Sequence, residues 1–449
     1  MLDFILDFLY GATIGAIKNY RWVKWGYLNL SLAFFILYVS GSVRAMETFL
    51  SVLFIAVIIM GVWQYVLTIP LRLKIKEWEN LFEEMKLKEN DCLPFFQYER
   101  DLSPYTFVTA FKTTIPLSVW QNKKEAMEML LNKKILSIVQ DEENNQIISL
   151  IVQKEALPTK IDWKESFNDK ESNKMYIGAG YFGAVHMDLE KHPHAFIAGE
   201  TGSGKSNILK CLIHQALSKD FDVILIDFKR GVSFSDFDEL VDIYFDYVPT
   251  AKILDDMVVE TKKRLDLFRE HRVDNIDDFN KVAHEYLARK IIFIDELAEL
   301  LKIRDKAISN RLYDSIETLT RLSRAVGIHL IMGIQRPDST IVSGQIKNNV
   351  SFRICGRFVD KEPSRIMLGC DSASRISNIK GRFIVKDNEM YEVQSFYYSS
   401  IDSYQLKPRH KIDGLAVDEE APTRKSPLSR ANEKNIAKGL DFDFSDIKK

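Results

Sequence analysis

Two stretches near the amino terminus contain no charged side chain. Trp25–Val43 is interrupted by the polar Asn29, Ser31 and Ser40, and Thr48–Leu71 is denser in Ile, Val, Leu and Phe. A bilayer core is crossed by a helix of about 20 apolar residues, so both predict membrane-spanning helices, at about 25–43 and 48–71. Only Arg44, Ala45, Met46 and Glu47 lie between them, which predicts a tight antiparallel hairpin. Lys18, Arg21 and Lys24 precede the first stretch, and Arg72, Lys74 and Lys76 follow the second. Positive flanks stay inside, so both ends are expected in the cytoplasm. The apolar residues before Lys18 suit the membrane surface. Their cations follow rather than precede them, unlike a cleaved leader.

The pattern then changes. Leu71–Asn90 alternates Lys and Arg with Glu at helical spacing and predicts a solvated helix leaving the bilayer. From about 93 to 190, short β-type runs such as Ile147–Val152 mix with a helical one at Lys124–Lys133, and Asp141–Asn145 reads as a hairpin turn. A small α+β module is expected there. Gly178-Ala179-Gly180-Tyr181-Phe182-Gly183 imitates a dinucleotide fingerprint but lacks the strand-to-helix context, so it reads as a β-turn.

Farther on, continuous apolar runs end in polar groups: His194–Ala198, Asp222–Ile226, Lys290–Ile294 and Ile328–Ile334. Runs of this kind, spaced by amphipathic helices such as Ile253–His271 and Ile276–Ala288, predict strands of a parallel sheet buried on both faces. His329, inside such a run, reads as a packed core residue. After Lys407 apolar periodicity stops, and the charged remainder is expected to be disordered. The expected organisation is a membrane anchor over 1–71, a linker helix and module over 72–187, a parallel-sheet domain over 188–407 and a tail over 408–449.

The 61 basic and 63 acidic residues leave a net charge of −2, so no global basic footprint points to nucleic acid. Cys92, Cys211, Cys355 and Cys370 match no metal or redox spacing and read as reduced thiols.

Candidate chemistry sits at the ends of the apolar runs. Gly199-Glu200-Thr201-Gly202-Ser203-Gly204-Lys205-Ser206 fits G-x-x-x-x-G-K-[ST] between a buried strand and a helix. Such a loop turns backbone N–H groups and a helix dipole toward phosphates. Lys205 would meet the β- and γ-phosphates of ATP, and Ser206 would complete a Mg²⁺ shell. Lys290–Ile294 runs into Asp295 and Glu296. In this pattern Asp295 holds Mg²⁺ through water, and Glu296 orients and deprotonates the attacking water. Asp227 and Lys229 end the intervening strand, either as a local ion pair or with a direct role at the nucleotide edge. Gln335 is placed to sense the γ-phosphate through water. Arg321 and Arg324 are either a solvated helix face or groups that reach a neighbouring subunit's phosphate.

These residues, with Ile226-Asp227-Phe228-Lys229, the rhythm of Arg264–Asn280, Arg324–Leu330, Gln335-Arg336-Pro337, Ile346–Ile354 and Ser364-Arg365, resemble the motor core of the FtsK/SpoIIIE DNA translocases over about Asp188–Val393. The resemblance implies a fold of the α/β class. It would be a RecA-like P-loop ATPase motor, a mostly parallel sheet flanked by helices, joined to the small α+β module and the two-helix transmembrane hairpin. It further implies a homo-hexameric ring around double- or single-stranded DNA, Arg324 acting in trans, Gln335 at the sensor position, and family-typical arginines at Arg353 and Arg365. Lys347, Arg353 and Arg357 are candidate DNA contacts.

Large cell-division members of that family have four spans, a long linker and a DNA-reading winged helix. Two spans and one motor look more like the coupling proteins of conjugative elements in Gram-positive bacteria, which bring a relaxase–DNA complex to a membrane channel. The expectation is therefore a multi-pass bacterial plasma-membrane protein, with amino terminus and motor cytoplasmic, that uses ATP and Mg²⁺ to pass DNA to conjugation channel proteins. The alternatives are a protein-export motor, a chromosome-partitioning translocase and an ATP-binding scaffold.

Overall fold

The computed structural model describes residues 43–399, apart from 90, 171 and 343, together with Leu406; within 43–70 only some side chains are included. The first expected span, except Val43, and the expected tail, 408–449, lie outside the described residues. The described chain divides into two compact units, one made of 43–100 and 107–152 and the other of 101–106 and 153 onward.

The first unit begins with a 42-residue helix, α1 (Val43–Glu84). It contains the expected second span, and it corrects two expectations. Arg44–Glu47 are helical rather than a turn, as suits four residues that include Ala, Met and Glu and no Gly or Pro. The helix then runs without a break into the segment read as a solvated linker. That segment is not solvated all round. Trp78, Leu81, Phe82 and Met85 are buried on one face, a stripe at helical spacing masked in the sequence by the charges between them. Among the residues whose side chains are described, no helix is long and apolar enough to cross a membrane.

A four-stranded sheet follows, ordered β1 (Phe95–Ser103), β2 (Thr106–Lys112), β4 (Ile147–Gln153), β3 (Ile135–Gln140). Helices α2 (Leu117–Asn122) and α3 (Lys124–Leu131) precede β3. The hairpin at Asp141–Asn145 forms as read, with Asp141 Oδ1 accepting from the N–H groups of Glu143 and Asn144. Phe82 meets Phe111 and Trp120 edge-on at the centre of this unit, at 5.0 and 5.5 Å, and those two rings tilt against each other at 5.7 Å.

The second unit is built on one continuous sheet. Its strands are β5 (Ile161–Asp162), β6 (Lys174–Gly180), β7 (Gly183–Asp188), β8 (His194–Ala198), β9 (Asp222–Ile226), β10 (Ile243–Tyr244), β11 (Lys290–Ile294), β12 (Ile328–Ile334), β13 (Phe352–Gly356), β14 (Arg382–Lys386) and β15 (Met390–Tyr397). The order is β10-β9-β11-β12-β8-β13-β14-β15-β6-β7, with β5 added beside β15. Pairing is parallel from β10 to β13 and antiparallel from β13 to β7.

The boundary expected at 188 therefore moves to about 153. β5–β7 belong to the motor's sheet because β6 pairs with β15, a contact between residues some 215 apart in sequence (Ala179 with Gln394) that no local pattern records. The glycine-rich 178–183 segment is the tip of the β6–β7 hairpin, as its reading as a turn required.

The parallel strands are buried on both faces, hence their unbroken apolar runs. Ile291 and Phe293 of β11 face one core with α4 (Lys205–Ser218). Ile292 and Ile294 face the other core, with α5 (Tyr247–His271), α6 (Ile276–Val282), α7 (Leu297–Leu301) and α8 (Lys306–Leu322). The α6 helix stops six residues before the expected Ala288. There Asn280 takes over the backbone, its amide bonding both the carbonyl and the N–H of Leu287 at 2.9 Å.

Two imidazoles are sealed in this sheet. His194 Nδ1 accepts from the Leu330 N–H at 3.0 Å, and His329 lies between the Pro193 carbonyl and Arg289. Burial pushes the His194 imidazole down to about 3 and holds that of His329 well below its ordinary value. An unfolded chain takes up these protons near pH 6.5 and the folded chain does not. Stability is therefore complete above about pH 6.5 and falls below it. Denaturant midpoints measured from about pH 7 to 5 should drop less steeply in His194→Gln than in wild type; equal slopes would contradict this.

Candidate active site

In-register pairing brings the polar strand ends to one edge. Ile294 of β11 lies opposite Ile226 of β9 and Met332 of β12, and Ile334 of β12 lies opposite Ala198 of β8. The next residues on each strand are Asp227, Asp295 with Glu296, Gln335 and Gly199. A parallel sheet binds ligands at this carboxyl edge.

The phosphate loop turns from β8 into α4. Gly204 sits just before the helix at φ +107, a conformation that strains any residue with a β-carbon, and a β-carbon there would also lie 3.1 Å from the Gly381 nitrogen. Lys205 is buried, with its ammonium held by the carbonyl oxygen of Asp295 and, at 3.1 Å, by Asp295 Oδ1. Glu296 Oε2 lies 3.8 Å from the same nitrogen.

Asp295 has a second cation. Its Oδ2 accepts from Lys229 Nζ at 2.8 Å and from the Ser233 hydroxyl at 3.1 Å. Burial alone would raise this carboxyl, but the charges and hydrogen bonds of Lys205 and Lys229 outweigh it and hold the group below the usual carboxylate range. The two readings left open for Asp227 and Lys229 thus separate. Lys229 joins the site. Asp227 pins the loop after β9 by accepting from the N–H groups of Lys229 and Ser233, at 2.9 and 2.8 Å.

Glu296 behaves differently. Burial raises its carboxyl against the pull of Lys205 and of two backbone donors. Those donors are the N–H of Gln335, at 3.2 and 3.0 Å from the two oxygens, and that of Ala298. A carboxylate fixed on both sides and pushed toward proton affinity is suited to a general base. Gln335 positions it through the backbone, while the Gln335 side chain lies 3.5 Å from Thr201 Oγ1 across the mouth of the loop.

A cavity of about 480 Å³ opens on these groups, lined by Glu200, Thr201, Gly202, Gly204, Lys205, Ser206 and Gln335, with Asn207, Lys210, Lys380 and residues 397–399 beyond. Asp295 and the Ser206 hydroxyl are hard oxygen donors, one of them ionised. That set fits Mg²⁺, which takes few protein ligands and relies on phosphates and water for the rest. Among the described residues, no group of three or more His, Cys, Asp or Glu forms a protein cage for a metal.

The sequence reading missed Gly333. A β-carbon there would lie 2.1 Å from the Asp295 carbonyl oxygen and 2.9 Å from Lys205 Nζ. β12 separates the phosphate loop from Asp295, and Lys205 crosses it where the strand has no side chain. A lone glycine in an otherwise apolar strand was the available signal.

Arg324 is not brought to this edge. It follows α8, ahead of β12, and donates to the Glu190 carbonyl at 3.1 Å. One seven-residue strand away, it lies about 20 Å from the loop. Arg353 is not a free DNA contact, since its three guanidinium nitrogens donate to the carbonyls of Val350, Lys347 and Met367. Arg365 is exposed.

Residues 160–339 match the sequence profile of the FtsK/SpoIIIE family. A solved structure titled as the monomer form of the pCW3 conjugation coupling protein TcpA with ATPγS is 33% identical, with a TM-score of 0.56. The match covers 74% of this chain and 98% of that one. The chain belongs to the FtsK/SpoIIIE family. It carries that family's ATPase motor.

Curated FtsK/SpoIIIE relatives named DNA translocase FtsK include one from Staphylococcus epidermidis, 30% identical over 63% of this chain, and one from Staphylococcus aureus, 26% identical over 63%. The match spans 38% of the length of each. The second and third ATPases of EssC from Geobacillus thermodenitrificans share the fold, at 18% identity and a TM-score of 0.51, over 62% of this chain and 57% of theirs.

Gly333→Ala should abolish ATP hydrolysis as fully as Lys205→Ala, although the substitution adds one methyl group and removes no catalytic atom. Steady-state hydrolysis and nucleotide binding check this; near-normal turnover in Gly333→Ala would refute the crossing geometry.

Proposed function

We propose that this chain is a membrane-anchored, ATP-driven DNA motor of the coupling type, which delivers DNA with its relaxase to a conjugative transfer channel. The likeness to the TcpA coupling protein, along nearly the whole of that structure, carries this reading. The anchor is supported by the charge-free sequence from 48 to 71 and by α1, on which Ile55, Ile59, Val62, Trp63 and Val66 stand exposed. With the flanking cations, this reading places the protein in a bacterial plasma membrane, multi-pass, with its amino terminus and motor in the cytoplasm.

In this mechanism Lys205 exchanges Asp295 for the β- and γ-phosphates of ATP. Ser206, and Asp295 through water, would hold Mg²⁺, which would neutralise phosphate charge. Glu296, aligned by the Gln335 and Ala298 N–H groups, takes the proton of the attacking water. Arg324 of one subunit serves the γ-phosphate of the next in a homo-hexamer, since within one chain it stands on the wrong edge.

Hydrolysis by the full-length protein, measured with and without single- and double-stranded DNA, tests the proposal. DNA should stimulate turnover, and the stimulation should weaken with salt. Lys205→Ala should abolish hydrolysis, and Glu296→Gln should bind ATP yet turn over about 10²–10⁴-fold more slowly. Lys205→Ala and Arg324→Ala chains, each inactive alone, should regain partial activity when mixed. Turnover indifferent to DNA and raised by a secreted protein would replace this reading with the export motor. An assembled ring that never hydrolyses ATP would leave the scaffold.

A further inference from the structure

The motifs account for the phosphate end of the cavity and leave its other end unassigned. The Lys205 end of α4 receives the β- and γ-phosphates, so the α-phosphate, sugar and base extend past Asn207 and Lys210. The wall met there is Tyr397, the last residue of β15, with Tyr398 and Ser399 after it and Lys380 beside it. We infer that Tyr397 is the platform on which the nucleotide base stacks.

The wall is fixed to the phosphate cradle. Asn207 Nδ2 donates to the Tyr398 carbonyl at 2.8 Å, and the Tyr398 N–H returns a bond to Asn207 Oδ1 at 3.1 Å. One face of α4 farther on, His214 Nδ1 lies 3.0 Å from the Tyr398 hydroxyl. The helix that begins at the phosphate loop therefore sets the position of Tyr397 at a constant reach from the phosphates.

The ring itself is held from one side. Lys160 Nζ lies 4.3 Å from its centroid and pairs with Asp162 at 2.5 Å, while Asp162 is opposite Tyr397 in the β5–β15 pairing. Tyr397 lines the cavity and is 41% exposed, and the whole space of about 480 Å³ is of the size that small-molecule sites use. A base has a π-face and the phosphate chain has none, so an oriented aromatic ring at this end recognises the base.

This inference rests on the nucleotide-binding reading, and the test separates the two. Affinities for ATP and for inorganic tripolyphosphate, which lacks sugar and base, are measured by calorimetry on the full-length chain, on Tyr397→Ala and on Tyr397→Phe. Tyr397→Ala should bind ATP about tenfold more weakly, the loss of one base–aromatic stack, and tripolyphosphate as wild type does. Tyr397→Phe should bind both as wild type does. Unchanged ATP affinity in Tyr397→Ala, or equal weakening of both ligands, would overturn the assignment while leaving the phosphate site standing. Wild type that binds neither ligand would overturn the nucleotide reading and this assignment with it.

Discussion

The buried charge cluster around Asp295 is the constraint on which the rest of the site depends. An isolated carboxylate in so dry a place would take up a proton, because desolvation disfavours its charged form. Two ammonium groups prevent this, Lys205 on one oxygen and Lys229 on the other. Each cation comes from a different strand end, so the electrostatics hold only while β8, β9 and β11 keep their register. Nucleotide loading is then an exchange of partners in which Lys205 leaves one anion for another, rather than the creation of a new buried charge.

Strand order makes that cluster possible. β12 lies between the strand leading to Lys205 and the strand leading to Asp295, so the lysine has to pass over it. Gly333 leaves the gap, and Gln335, two residues on, turns its N–H to Glu296. One strand thus admits the lysine and sets the base, although it contributes no charged group to the reaction.

What the sequence made legible was whatever is local. The phosphate loop, Asp295 and Glu296 were readable because their spacing is the chemistry, and the apolar runs before them because strands buried on both faces need no alternation. The rest depends on long-range pairing. Gly333 gains its meaning from Lys205, 128 positions earlier (333 − 205), and Tyr397 from Asn207. β5 and β6 pair with β15, far along the chain, so no local pattern announces which sheet they join. Arg353 carries the charge of a DNA contact, and only the structure shows it closing the carbonyl ends of two helices. In α1 the aromatic stripe Trp78–Phe82 was hidden by Glu79 and Asn80 between its members.

If Arg324 acts in trans as proposed, its position bears on how copies of the chain would meet. The phosphate loop and this arginine stand on opposite edges of the same sheet. A pairing related by a two-fold axis joins like surfaces, loop edge to loop edge or arginine edge to arginine edge, and leaves every loop without a foreign arginine. A head-to-tail contact joins unlike surfaces and gives each loop one. Such a contact never satisfies the last copy added unless the line of copies closes on itself. Under the trans role proposed for Arg324, its edge therefore favours a closed circle over a two-fold dimer.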